Sequence, residues 1–98
     1  MTGDPNTGTP ILDLRNIGPA SARWLRDIGV ATREELRRRG PVAVYATLKR
    51  RGYRVSLNLL YALQAGLMDL HWAELPPQVR DQLRAAAERA LQEDTGDQ

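Results

Sequence analysis

The sequence predicts an all-α domain, a small bundle of five to six helices packed around one central buried helix. Three observations carry this expectation. Apolar residues recur at helical spacing along most of the chain, and no stretch alternates cleanly with period two. Glycine and proline punctuate the chain at intervals that suit short helices. The segment Leu57 to Leu70 has leucine at 57, 59, 60, 63, 67 and 70 and only Asp69 as a charge. An all-round apolar helix is a buried one.

Each element follows from local chemistry. Residues 1–10 are rich in glycine, proline, threonine and asparagine and read as a flexible tail. A short helix fits Pro10 to Leu14, with Thr9 as cap. Asn16-Ile17-Gly18-Pro19 then turns the chain. Pro19 opens a helix to about Ile28, whose inward set Ser21, Trp24, Leu25 and Ile28 is spaced i, i+3, i+4, i+7. Arg23, Arg26 and Asp27 point away, and Gly29 stops the helix. Thr32 and Glu35 carry a capping-box signature for a helix that ends near Gly40. Pro41 opens the next, with Val44, Tyr45 and Leu48 inward. Gly52 breaks the chain, and Ser56 caps the leucine-rich helix. His71-Trp72-Ala73-Glu74 reads as a single turn. Pro76-Pro77 opens the last helix, to about Gln92. Its stripe is Val79, Leu83, Ala86 and Ala90 with Ala87 and Leu91 alongside, and Arg84 is placed to pair with Glu88. Residues 11–92 form the single domain, and 93–98 read as a frayed acidic end.

Composition narrows the function classes. The chain has 98 residues, no cysteine and one histidine, His71, so thiolate chemistry and multi-histidine metal sites are excluded. No apolar run is long enough for a membrane span. Met1 to Pro10 lack the basic and apolar regions of a signal peptide, which makes the cytoplasm the expected compartment. No nucleophile–base pair, P-loop or dinucleotide fingerprint is present, so neither catalysis nor a cofactor is expected.

Charge is the first positive clue. Residues 15–54 carry a net charge of +8, whereas residues 55–98 carry −4, and 13 of the 14 cations are arginine. A guanidinium fork matches phosphate or carboxylate. The same residues also suit solvated helix faces, and Lys49, Arg50 and Arg51 complement a helix dipole, so composition alone leaves both readings open.

The segment Leu14-Arg-Asn-Ile-Gly-Pro-Ala-Ser-Ala-Arg-Trp-Leu25 carries the most information. Leu14 and Ile17 anchor a tight turn. Gly18 permits a positive φ or close backbone approach. Pro19 has no amide to satisfy. The amides of Ala20, Ser21 and Ala22 then open a helix N-terminus, where the dipole attracts phosphate. The build resembles the hairpin of a helix-hairpin-helix (SAM-like) DNA-binding corner, which grips backbone phosphates without reading bases. Such loops carry glycine where this chain has Asn16, and asparagine tolerates the left-handed region better than other side chains.

A wider resemblance runs from about Ile11 to Leu91. Leu14-Arg-Asn-Ile-Gly-Pro, Trp24-Leu-Arg-Asp-Ile-Gly-Val, Leu48-Lys-Arg-Arg-Gly, Val55-Ser-Leu-Asn-Leu-Leu-Tyr-Ala-Leu63 and His71-Trp72 with Leu75-Pro76 occur in that order. Together they resemble the C-terminal domain of the TfoX (Sxy) family of regulators of natural transformation. The resemblance implies an all-helical regulatory module connected with competence, acting through DNA or the transcription machinery.

The expected site therefore combines two sets. The hairpin amides of Gly18, Ala20 and Ser21 would hold a phosphate of DNA. Arg23, Arg26, Arg37, Arg38, Lys49 and Arg50 would supply the field. The alternative is a protein-interaction module that docks on a transcription factor or RNA polymerase without touching DNA. His71 is expected to bond at a helix end rather than bind metal. Trp24 and Trp72 are expected to pack in or beside the core.

Overall fold

The computed structural model describes residues 8–96, with side chains described to residue 92. Five α-helices follow one another: α1 (Pro19–Asp27), α2 (Arg33–Arg39), α3 (Pro41–Arg50), α4 (Leu57–Leu67) and α5 (Pro77–Gly96). Two 3-10 turns, Ile11–Asp13 and Trp72–Glu74, precede α1 and α5. No strand occurs among the described residues, and a single isolated bridge pairs Pro10 with Thr32. Among the described residues no helix is long and apolar enough to cross a membrane.

Local signals set most of the boundaries. Pro19 and Pro41 occupy the first turns of α1 and α3, where a missing amide costs nothing. Gly29, Gly40 and Gly52 follow α1, α2 and α3 at φ of 88°, 90° and 92°, a region that side chains resist. Thr32 caps α2 by accepting from the Glu35 amide at 3.1 Å. The expected capping box is only half formed, because the Glu35 carboxylate turns to Arg38 instead.

Other boundaries depart from expectation. The first turn is 3-10 rather than α, and Thr9 does not cap it. The Thr9 carbonyl accepts from the Arg33 amide at 2.8 Å, and Ile11 N–H donates to the Ala31 carbonyl at 2.9 Å. These bonds tie the end of the expected tail to the entrance of α2; residues 1–7 lie outside the described residues. Helix α4 stops at Leu67 rather than Leu70, with Asp69 at φ 58° and Leu70 N–H closing onto the Ala65 carbonyl at 2.8 Å. Three side chains from the other end of the domain claim carbonyls there. Arg33 bonds Leu67 O at 3.2 Å, Arg15 bonds Asp69 O at 3.1 Å and Asn16 bonds Leu70 O at 2.9 Å. Helix α5 continues past the expected Gln92 to Gly96. Arg84 pairs with Asp81, three residues back, and not with Glu88.

The core is built on α4 and shared with α3. Leu59, Leu60, Ala62, Leu63, Ala65 and Gly66 of α4 are buried, but Asn58 is exposed and Tyr61 and Gln64 are half-buried. Helix α3 contributes Val44, Tyr45, Ala46 and Leu48 and packs on both α4 and α5. Ile11, Leu25, Val30, Leu36 and Leu75 complete the set of large, fully buried side chains.

Gly66 shows how closely the hairpin sits on α4. A Cβ there would lie 2.9 Å from the Arg15 carbonyl oxygen and 2.9 Å from Leu14 Cγ. Gly66→Ala gains about 1 kcal/mol of helix propensity but incurs overpacking of roughly 1–3 kcal/mol. The expected net effect is a lower urea midpoint, and Gly66→Val should lower it further. An unchanged midpoint for both would mean that the hairpin yields without cost.

Candidate nucleic-acid interface

Buried Leu14 and Ile17 fix the hairpin to the core. Asn16 sits at φ 72°, as its tolerance of the left-handed region predicts. Its side chain bonds in both directions: Nδ2 donates to the Leu70 carbonyl at 2.9 Å, and Oδ1 accepts from the Trp72 amide at 3.0 Å. Gly18 does not use the positive-φ freedom expected of it. At φ −92° and ψ 177° it is extended, and a Cβ there would meet nothing within 4 Å. What Gly18 supplies is open space.

That space faces the N-terminus of α1, where Gly18 offers no side-chain cap and the first turn has no acid. The Ala22 amide, expected to be free, donates to the Gly18 carbonyl at 2.9 Å. The amides of Gly18, Ala20 and Ser21 have no hydrogen-bond partner among the described residues. Gly18 and Ala20 are exposed and Ser21 is half-buried. The expected amide set is therefore reduced to these three.

The arginines divide into two groups. Arg15, Arg33 and Arg39 are spent inside the fold; Arg39 bonds the Ile28 carbonyl at the end of α1 at 2.8 Å. Arg38 pairs with Glu35, and Lys49 reaches the Val55 carbonyl at 3.5 Å. Arg23, Arg26, Arg37 and Arg54 are exposed and make no hydrogen bond or ion pair to a described residue. Arg50 is exposed at the end of α3.

The basic stretches Arg37-Arg38-Arg39 and Lys49-Arg50-Arg51-Gly52-Tyr53-Arg54 meet the C-terminal end of α1, not its open N-terminus. Arg39 docks on Ile28, and the Tyr53 hydroxyl donates to Asp27 Oδ2 at 3.0 Å. This bond to the Asp27 carboxylate pushes the Tyr53 hydroxyl pKa above its ordinary value. Nine residues of helix, about 13 Å at 1.5 Å per residue, separate that end from the amides. Arg23 and Arg26 lie between the two ends, so the expected site is an elongated surface along α1.

The tryptophans correct an expectation. Trp24 is half-buried against Tyr53, with ring centroids 5.9 Å apart, but Trp72 is 42% exposed. Both line a groove that also takes in Asn16, Ser21, Arg54 and Asn58. One usable hint lay in the helical spacing that puts Ser21 and Trp24 on one face. Nothing in spacing links residue 72 to residue 24. His71 behaves as expected: its Nδ1 accepts from the Ala73 amide at 3.1 Å, and Glu74 accepts from the His71 amide at 2.9 Å.

Comparison with known protein families matches residues 7–87 to the family described as the TfoX C-terminal domain. No curated protein and no solved structure matches the chain.

Proposed function

Because the chain belongs to the TfoX C-terminal domain family, we propose that it is a non-enzymatic regulatory module that grips the backbone of DNA through the open end and exposed side of α1. Family membership supports a role connected with competence. The observation that carries the DNA reading is the trio of unpartnered amides at Gly18, Ala20 and Ser21. They sit at a helix start with no acid in its first turn and no side chain over it. Amides in that setting, on the positive end of the helix dipole, attract phosphate. Arg23, Arg26 and Arg37 are exposed and make no ion pair to a described residue, so their charge is open to a phosphate. Arg38, Lys49 and Arg50 widen the positive surface; the Glu35 carboxylate offsets Arg38.

The test is fluorescence anisotropy with a labelled duplex at about 50 and 200 mM salt. Wild-type affinity is expected to fall steeply across that range, with a log–log slope near −0.9 per phosphate neutralised. Arg23→Ala/Arg26→Ala/Arg37→Ala should flatten the slope, because each lost phosphate contact removes about 0.9 from it. Gly18→Leu should weaken binding without unfolding the domain, since its backbone is extended and the space is open. Salt-independent binding, or none at about 50 mM salt, defeats the reading.

One observation favours a second reading, docking on a transcription factor or polymerase. Exposed Met68 and half-buried Val79 and Leu83 line an apolar groove between α4 and α5. A partner seated there would bind with weak salt dependence.

A further inference from the structure

Both tryptophans of the chain open onto one groove, between the hairpin, the start of α4 and the second 3-10 turn. Its volume is about 420 Å³, within the range of sites that accept small organic groups, roughly 300–1,000 Å³. The walls are chemically divided. Trp24 and Trp72 supply flat apolar surface. Ser21, Arg54 and Asn58 supply a hydroxyl, a guanidinium and an amide, none bonded to any described residue. Among the described residues no carboxylate lines the groove. The indoles are also held in place before any ligand arrives. Tyr53 lies beside Trp24, and His71 lies alongside Trp72 with ring planes 30° apart. Asn16 fixes the Trp72 backbone at 3.0 Å. Preset walls lower the ordering cost of binding.

A flat aromatic group with an anion attached meets all these features. Ser21 decides which such group, because it belongs both to the groove and to the amide trio at the start of α1. A backbone phosphate on those amides would stand at the lip of the groove, with its base directed inward. A base still stacked in a duplex has both faces covered and cannot enter. We propose that the groove holds an unstacked base of single-stranded DNA. Stacking comes from the indoles, Arg54 meets the adjoining phosphate, and Asn58 offers both a donor and an acceptor to the base edge. This rests on the reading that the domain grips a DNA backbone, and it names the form of DNA preferred.

Trp24 and Trp72 are the only tryptophans, so tryptophan emission, excited selectively over tyrosine, reports on residues of this groove. The whole chain is titrated with a short oligothymidine strand and, separately, with a duplex of the same length, at about 50 mM salt. The single strand is expected to quench the emission and to bind more tightly than the duplex. Trp72→Ala should weaken single-strand binding about fivefold or more, while Trp72→Phe, which keeps a stacking ring, should retain most of it. Arg54→Ala should flatten the salt dependence for the single strand. Trp72 and Arg54 are exposed, so these variants should keep the helical circular-dichroism spectrum of the wild type. Duplex binding without single-strand quenching, or a neutral Trp72→Ala, overturns the groove and leaves the backbone grip standing. Failure of both nucleic acids to bind overturns both.

Discussion

Leu60→Ala is expected to destabilise the domain by about 2–5 kcal/mol, the range for deleting a buried leucine. Leu60 is 0% exposed and sits in the middle of α4, among neighbours that include buried Leu59 and Leu63. Those neighbours are themselves held by the bundle, so the vacated volume cannot close fully, and a cavity term adds to the lost transfer energy. Small domains have only about 5–15 kcal/mol in total. In a domain of this size each kcal/mol moves the melting temperature by roughly 4–8 °C, so a drop of about 8 °C or more is expected. Thermal and urea denaturation followed by circular dichroism reads it directly. Leu12→Ala is the matched control: Leu12 is 47% exposed and should change stability by less than about 0.5 kcal/mol. Equal effects at the two positions would mean that the core is misplaced.

Asn16 is expected to show the second large effect, and a pair of substitutions separates its two contributions. Asn16→Ala loses the bonds to Leu70 and Trp72, each worth about 0.5–1.5 kcal/mol. It also places alanine at φ 72°, at a further cost of roughly 1 kcal/mol. Asn16→Gly loses the same bonds but accepts the backbone angle. The expected order of stability is wild type, then Asn16→Gly, then Asn16→Ala, with the last about 2–4 kcal/mol down. Tryptophan emission should shift in both variants as the Trp72 turn is released. A glycine variant as stable as wild type would show that the clamp contributes nothing. The pair explains why this hairpin carries asparagine where similar hairpins carry glycine: the position must be left-handed and must also hold the 3-10 turn ahead of α5.

The candidate site was legible in part. The hairpin, its anchors Leu14 and Ile17 and the open start of α1 follow from a dozen consecutive residues. Spacing alone did not show which of the cations stay on the surface for a ligand. Arg15, Arg33 and Arg39 cap carbonyls at helix ends, and Arg38 is paired. An arginine bound for a carbonyl 34 or 54 residues away carries no mark of it in the sequence. Nothing in spacing marks Arg54 as a neighbour of Trp24 and Trp72 in one groove.

The sequence by itself determined where the helices start and how most of them stop. Proline at the first turn, glycine at positive φ and threonine at the cap act within four residues of themselves, so the local chain suffices. It also determined which face of each amphipathic helix turns inward, because burial follows the apolar stripe. Only the tertiary structure decided where α4 ends, which cations remain available and that two tryptophans 48 positions apart share one groove. Those outcomes depend on which carbonyls and side chains packing brings within 3 Å or so of each other, and hydrogen bonds are too short-ranged for composition or spacing to encode that meeting.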